Sequence, residues 1–280
     1  MIHRPLTAAL VLLLAASLAS AQTAPSSAAI PPSGDAAKVT LQKSPRHGEW
    51  VDIEVPGEAA KLHTFVVYPE RKDKAPVVVV IHEIFGMTDW VGGVADQLAA
   101  DGFIAVAPDL LSGKGPNGGN TDSFAEKDVR AAIGKLAPEE VNKKLDLARA
   151  YALALPAASG KSASIGFCWG GTASFNYAVH QPALNAAVVY YGTAPKEKEK
   201  LAQIKAPVLG LYGGDDARVT STVEPTQAAM KEAAKPYTPH VFPGAGHGFL
   251  RQQTGRDNAN QKAADAAWAK TTEFLKANTE

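Results

Sequence analysis

GFCWGG, residues 166–171, lies directly between a predicted strand, Ser162–Gly166, and a predicted helix, Gly170–His180. Its form is G-x-C-x-G, the spacing that places a nucleophile on a strained strand-to-helix turn when the central residue is serine. The glycines let the turn approach the neighbouring backbone closely, and the amino end of a helix favours a thiolate over a thiol. Cys168 is therefore the candidate nucleophile, and the alternative is a buried cysteine without activity.

Strands and helices alternate on both sides of this turn. The stretch PVVVVI, residues 76–81, is apolar on both faces, as in a central strand of a parallel sheet. Further strands are predicted at Leu62–Tyr68, Phe103–Ala107, Ala187–Tyr190, Val208–Tyr212 and His240–Phe242, and further helices at Asp89–Ala100, Pro138–Leu155, Thr226–Ala234 and Asn258–Lys276. This alternation predicts an α/β fold, with helices on both faces of a mostly parallel sheet and a ligand site at the carboxyl ends of the strands. Together with the turn at residues 166–171, it is typical of an α/β-hydrolase.

A nucleophile of this kind needs a base, and in this fold the base comes last along the chain. Three histidines follow the cysteine. His180 lies in the helix after the turn and should point away from the site, and His240 begins a strand. His247 lies in a glycine-rich loop, GAGHGF, after the last strand. We therefore expect His247 to be the base, the alternative being an exposed loop histidine.

The acid that orients the base should follow an earlier strand. The strand Val208–Tyr212 is followed by GGDDARV, residues 213–219, which contains Asp215 and Asp216. Either carboxylate fits the position, and the other would then be a turn residue. The residues alone leave this choice open.

The loop HEIFG, residues 82–86, follows the PVVVVI strand and should lie beside the turn. It is the expected source of one backbone donor for an oxyanion, and the amide of Trp169 is the other. Glu83 would then be a partner of the thiol or of the base, the alternative being a glutamate in a salt bridge or helix cap. His82 is expected to order the loop. A metal site is not expected, because Gly86 stands where H-E-x-x-H needs its second histidine and the chain has one cysteine.

The composition excludes other classes of protein. Among 280 residues, 28 positive and 28 negative side chains balance, so no clustered basic face is expected to bind nucleic acid. The glycine-rich connection over residues 112–137 is long enough to shape a substrate site. We expect a monomer that needs no cofactor and binds a small molecule.

The first residues are typical of an export signal. His3 and Arg4 precede an apolar stretch, Leu6–Leu18, which ends at Ala19-Ser20-Ala21. We expect cleavage after Ala21, export to the periplasm or medium, and no stable membrane insertion; the alternative is a retained anchor. Residues 22–43 are rich in Ala, Ser, Pro and Thr and are expected to form a disordered spacer. One catalytic domain should then span residues 44–280.

The chain resembles the dienelactone hydrolase family from about residue 60 to its end. The motifs that carry the resemblance occur in the family's order and are HEIFG at 82–86, PDL at 108–110, GFCWGG at 166–171, YYG at 190–192, GGDDARV at 213–219 and GHGF at 246–249. The resemblance implies hydrolysis of small esters or lactones, of the carboxymethylenebutenolidase type, through an acyl-thioester intermediate. Alternatives are an esterase or thioesterase of the same fold and a non-catalytic thiol sensor.

The same resemblance assigns residues to roles. It implies a triad of Cys168, His247 and Asp216, and makes Glu83 the residue that contacts the resting thiol. The amides of Ile84 and Trp169 would form the oxyanion hole. Substrate-binding residues are implied at Phe85, Tyr191 and Arg251, the last for a substrate carboxylate. A second arginine for this carboxylate lies on the helix after the long connection, where Arg130 is a candidate that no motif aligns.

Overall fold

The computed structural model describes Met1 and residues 29–280. Its sheet has eight strands: β1 (Gly48–Ile53), β2 (Leu62–Val67), β3 (Ala75–Ile81), β4 (Ile104–Pro108), β5 (Ala158–Phe167), β6 (Ala186–Tyr190), β7 (Val208–Gly213) and β8 (Tyr237–Phe242). The helices are α1 (Ala37–Gln42), α2 (Asp89–Ala100), α3 (Glu126–Ile133), α4 (Pro138–Leu153), α5 (Trp169–His180), α6 (Lys198–Leu201), α7 (Ala217–Thr220), α8 (Val223–Glu232) and α9 (Ala259–Thr279). Short 3-10 turns occupy Pro116–Gly118 and Thr121–Ser123.

The strands lie in the order β1-β2-β4-β3-β5-β6-β7-β8. The β1–β2 and β2–β4 pairs are antiparallel, and every pair from β4 through β3 to β8 is parallel. The predicted α/β fold with a mostly parallel sheet is confirmed. Because β3, β5, β7 and β8 run in one direction, the loops that follow them meet at one edge of the sheet.

The core explains why PVVVVI forms a central strand. Every residue of β3 is buried, because helices cover both faces of the sheet. Val78 and Val80 pack on one face with Trp268 of α9, whereas Val77 and Val79 pack on the other face in a separate apolar cluster. Burial of each such side chain contributes about 1.5–3 kcal/mol relative to exposure.

Some elements differ from the sequence prediction. The edge strand β1 was not expected, because its side chains alternate between half-buried and exposed positions and it lacks an apolar run. Helix α3 lies inside the glycine-rich connection, where only Val129 and Ile133 are buried. Strand β8 begins three residues before the predicted His240–Phe242, and helix α8 covers Val223–Glu232 instead of Thr226–Ala234.

The predicted disordered spacer is wrong for most of its length. Residues 30–43, here called the strap, are folded against α2 and include helix α1. Gly92 and Gly93 of α2 have no side chains, and this leaves room for Leu41 and Pro32 of the strap to lie against the helix. The catalytic domain therefore begins before residue 44.

The predicted signal peptide and residues 22–28 lie outside the described residues. Export and cleavage after Ala21 thus stay predictions. None of the helices over residues 29–280 combines the length and apolar character that a membrane span requires.

Candidate active site

Cys168 lies on the turn between β5 and α5. Its backbone angles are φ 57° and ψ −116°, a conformation that costs a residue other than glycine about 1–3 kcal/mol. The turn packs so closely that a Cβ on Gly166 would lie 1.9 Å from the Gly170 carbonyl oxygen. A Cβ on Gly170 would lie 2.3 Å from the carbonyl oxygen of His82. The glycines of GFCWGG are thus required by contact, as predicted, and they hold a partly exposed thiol at the sheet edge.

His247 and Asp216 meet at the same edge. Asp216 follows β7 and is buried, and its Oδ2 atom lies 2.5 Å from His247 Nδ1 in the loop after β8. Asp215 instead points to solvent and accepts a bond from Arg256 Nη1 at 2.6 Å. The structure therefore pairs His247 with Asp216, the aspartate that the resemblance implied.

The environment of His247 connects it to the cysteine. The Cys168 thiol, together with Asp216, raises the pKa of the His247 imidazole above its usual value, against the opposing effect of burial. Protonation of His247 therefore stabilises the fold below the ordinary histidine pKa, and this stabilisation is lost as the pH rises through the folded-state pKa. The hydrogen bonds of the described residues include none between the thiol and the imidazole, although the thiol is the first of the influences that raise the pKa of His247.

Glu83 is paired with an arginine. The Arg251 Nε–H group donates to Glu83 Oε2 at 2.7 Å, and the carboxylate is only 3% exposed. Burial raises the pKa of Glu83, and the charge of Arg251 opposes this rise. The expected contact between Glu83 and the resting thiol is not among the hydrogen bonds of the described residues, so the salt-bridge alternative describes this structure.

Phe85 brings two arginines together. The guanidinium carbon of Arg251 lies 4.8 Å from the centre of the Phe85 ring, and that of Arg130 lies 4.7 Å from it. Both distances are within the range of a cation–π interaction. Arg130 is exposed on α3, and Arg251 is half-buried. The second arginine, which no motif aligned, thus lies beside the first.

Tyr191 has a buried hydroxyl without a hydrogen-bond partner among the described residues. Its ring centre lies 5.1 Å from that of His247, and its backbone φ is 38°. Burial raises the pKa of Tyr191 far above its usual value, and the nearby Glu83 and Cys168 raise it further. A neutral hydroxyl donor is therefore available next to the base.

The amides of Ile84 and Trp169 donate to no acceptor within the described part of the chain. The loop that carries Ile84 is held by His82, whose Nδ1–H group donates to the Glu83 carbonyl at 2.8 Å. The Leu110 amide donates to Nε2 of the same ring at 3.3 Å. Burial lowers the pKa of His82, so the ring is neutral, as this pair of bonds requires. His82 orders the loop, as expected from the sequence.

A cavity of about 450 Å³ adjoins these residues through Phe85 and Arg251. Its other lining residues come from the strap, from α2 and the residues before it, and from α3: Gly34, Asp35, Thr88, Asp89, Trp90, Glu126 and Val129. The connection over residues 112–137 thus contributes to the cavity through α3. Over residues 29–280, no three His, Cys, Asp or Glu side chains are grouped so that they could hold a metal ion.

Comparison with known proteins agrees with the motifs. The profile of the dienelactone hydrolase family matches residues 62–279. The chain belongs to the dienelactone hydrolase family. A Salmonella typhimurium protein provisionally named carboxymethylenebutenolidase is 30% identical over 234 residues, which cover 79% of this chain and 84% of the relative. Carboxymethylenebutenolidase 1 of Cupriavidus pinatubonensis is 32% identical over 207 residues, or 72% of this chain and 86% of the relative.

The fold agrees as well. The crystal structure of a Klebsiella pneumoniae protein provisionally named dienelactone hydrolase superposes with a TM-score of 0.72 at 26% identity. The match covers 82% of this chain and 98% of that protein. The predicted dienelactone hydrolase resemblance and α/β-hydrolase fold are confirmed.

Sequence reasoning missed one part of this site. Gly34 and Asp35 of the strap line the cavity, although the strap has neither apolar periodicity nor a motif. Their only signal in the sequence is the Gly92-Gly93 pair inside a predicted helix, where glycine is unfavourable unless another segment packs closely.

Proposed function

We propose that this chain hydrolyses small carboxylic esters or lactones, with Cys168 as nucleophile, His247 as base and Asp216 as the acid that orients the base. The observation that carries the proposal is the 2.5 Å contact between His247 and Asp216 at the edge where Cys168 occupies its strained turn. Family membership supports the same reaction class. A thiol sensor would need neither the imidazole nor the carboxylate.

The reaction proceeds in two stages. His247 Nε2 accepts the thiol proton, and the Cys168 thiolate attacks the substrate carbonyl carbon. The amides of Ile84 and Trp169 donate to the oxyanion of the tetrahedral intermediate. This intermediate collapses to a thioester, while the imidazolium protonates the departing alcohol, which in a lactone stays attached to the acyl chain. Water, deprotonated by His247, then attacks the thioester and restores the thiol.

Arg251 and Arg130 influence which substrates bind in the site. Arg251 and Arg130 lie over the Phe85 ring, and Phe85 and Arg251 line the cavity. A substrate carboxylate that binds Arg251 would compete with Glu83, its present partner. We therefore include carboxylate-bearing lactones, the substrate class of carboxymethylenebutenolidases, among the substrates of this site.

The test is to trap the covalent intermediate. The reduced protein is mixed with p-nitrophenyl esters of increasing acyl length and with lactones with and without a carboxylate. It is quenched in acid within one turnover and analysed by peptide mass spectrometry. We expect the acyl mass on the peptide that contains Cys168, and hydrolysis that stops after alkylation by iodoacetamide. Full activity after complete alkylation of Cys168 would contradict the proposal.

Tyr191→Phe is expected to lower the activity without lowering the stability of the fold. The substitution keeps the ring beside His247 and removes a buried hydroxyl that has no partner. Because an unsatisfied buried polar group costs about 1–3 kcal/mol, the free energy of unfolding should stay equal or rise. Because the ring lies beside His247, loss of its hydroxyl should lower kcat/KM by about tenfold or more. Urea unfolding and steady-state kinetics measure the two effects, and unchanged kinetics would remove Tyr191 from the site.

A further inference from the structure

The strap contacts the proposed active site directly, although it lies outside residues 62–279, which the family profile matches. The Gly34 amide donates to the carbonyl of Arg251 at 2.8 Å. Gly34 also lies against the stem of the arginine, since a Cβ at this position would be 3.0 Å from Arg251 Cγ. Backbone from the start of the domain therefore covers one side of the side chain that pairs with Glu83.

The rest of the domain holds the strap in this place. Trp90 Nε1 donates to the Pro32 carbonyl at 3.0 Å, and Gln253 Nε2 donates to the Pro31 carbonyl at 2.8 Å. Pro32 lies on Gly93 of α2, where a Cβ would come within 2.6 Å of the proline Cγ. Trp90 lines the cavity and Gln253 follows Arg251 by two residues. The strap is thus bound both to α2 and to the segment that follows Arg251.

We propose that the strap is a positioning element of the active site: it holds Arg251 in place and thereby sets the preference of the site for negatively charged substrates. Arg251 is held on three sides, by Gly34 along its stem, by Glu83 at Nε and by the Phe85 ring beside its guanidinium. Release of the stem lets a long, flexible side chain recover rotamer freedom and leave this orientation. The consequence for catalysis rests on the proposed function.

The charges around the cavity make the position of Arg251 decisive. The lining carboxylates Asp35, Asp89 and Glu126 repel an anion, and Glu83 is buried and paired with Arg251. Arg251 is the cation in the lining, and Arg130 is exposed next to Phe85. Displacement of Asp35 together with the strap would remove a negative charge from the cavity lining and would therefore favour the binding of anions. A weaker preference for anions after such a displacement therefore points to Arg251, the cation that the strap contacts.

The test uses two alkylating reagents of similar size on the single cysteine of the full-length protein. The ratio of the Cys168 alkylation rate by iodoacetate, an anion, to that by neutral iodoacetamide reports the positive field of Arg251. The methyl group added in Gly34→Ala would contact Arg251 Cγ, and the methyl group added in Gly93→Ala would contact the side of Pro32 that lies against α2. We expect each variant to lower the ratio by about fivefold, the effect of one partly exposed charge interaction. Arg251→Gln should lower it at least as far.

Lys38→Ala is the matched control, because Lys38 is an exposed strap residue away from the cavity lining. It should leave the ratio unchanged. Gly93→Ala should retain the fold, because alanine is favoured over glycine within a helix, and thermal unfolding verifies this. The inference is wrong if folded Gly34→Ala and Gly93→Ala proteins keep the wild-type ratio, or if Arg251→Gln keeps it.

The same variants distinguish this inference from the proposed function. With active protein, kcat/KM for a carboxylate-bearing lactone should fall about fivefold more than for a neutral lactone. An equal fall for both substrates would show that the strap only supports the fold. If no ester or lactone is hydrolysed while the alkylation ratio still falls, the proposed function fails and the positioning of Arg251 by the strap stands.

Discussion

Cys168→Ser is expected to lower kcat/KM for ester or lactone hydrolysis by about 10³-fold or more. A hydroxyl has a far higher pKa than a thiol, whose usual value is about 8.5, so His247 cannot produce the nucleophile as readily. The oxygen is also smaller than sulfur and reaches less far from the turn towards the imidazole. Steady-state kinetics measure the loss, and the acyl mass on the active-site peptide should vanish with it.

The serine variant should fold normally, because a serine side chain fits the strained turn and the glycine contacts around it are unchanged. Circular dichroism and the melting temperature verify this. Removal of the thiol also removes the largest influence that raises the pKa of His247. We therefore expect the imidazole to titrate at lower pH in the variant, as measured by NMR. Turnover within tenfold of wild type, with no acyl mass on the active-site peptide, would show that another group is the nucleophile.

Asp216→Asn is expected to lower kcat by about 10²- to 10⁴-fold. The asparagine amide can donate to His247 Nδ1, and this donation favours the tautomer that carries its proton on Nε2. That tautomer cannot accept a proton from the thiol. The uncharged asparagine also removes the contribution of Asp216 to the raised pKa of His247, a contribution that comes after that of Cys168. The pH at which activity rises to half its maximum should therefore move downward in the variant.

Asp215→Asn is the matched control for this experiment. Asp215 is the neighbouring aspartate, it is exposed, and its partner is Arg256. Loss of such a surface ion pair changes little, so kcat should stay within about twofold of wild type. A larger loss in Asp215→Asn than in Asp216→Asn would reverse the assignment of the acid.

Much of the fold could be predicted because its signals are local. PVVVVI predicts a strand buried on both faces, since an apolar run of this kind is stable only where helices cover both faces of the sheet. The glycines around Cys168 predict a tight turn, since the backbone segments of such a turn lie too close together to leave room for a Cβ. Order along the chain then places His247 and the aspartates at the same edge. The local sequence could not decide which of Asp215 and Asp216 is the acid, because only the tertiary structure buries one of them.

The rest depends on contacts between distant residues. Glu83 and Arg251 are 168 positions apart, so their salt bridge has no local signal. The strap has the composition of a spacer, and it is ordered because α2 offers it a surface without side chains at Gly92 and Gly93. Strand β1 is ordered by its partner β2, through a ladder from Gly48↔Val67 to Ile53↔Leu62. In each case the partner decides the structure.

The strap precedes the first strand of the sheet and is not inserted between two of its strands. Its length and composition can therefore diverge during evolution without a shift in the register of any strand or in the spacing of the catalytic loops. Exchange of residues 30–43 between relatives should transfer substrate preference while the catalytic residues stay the same.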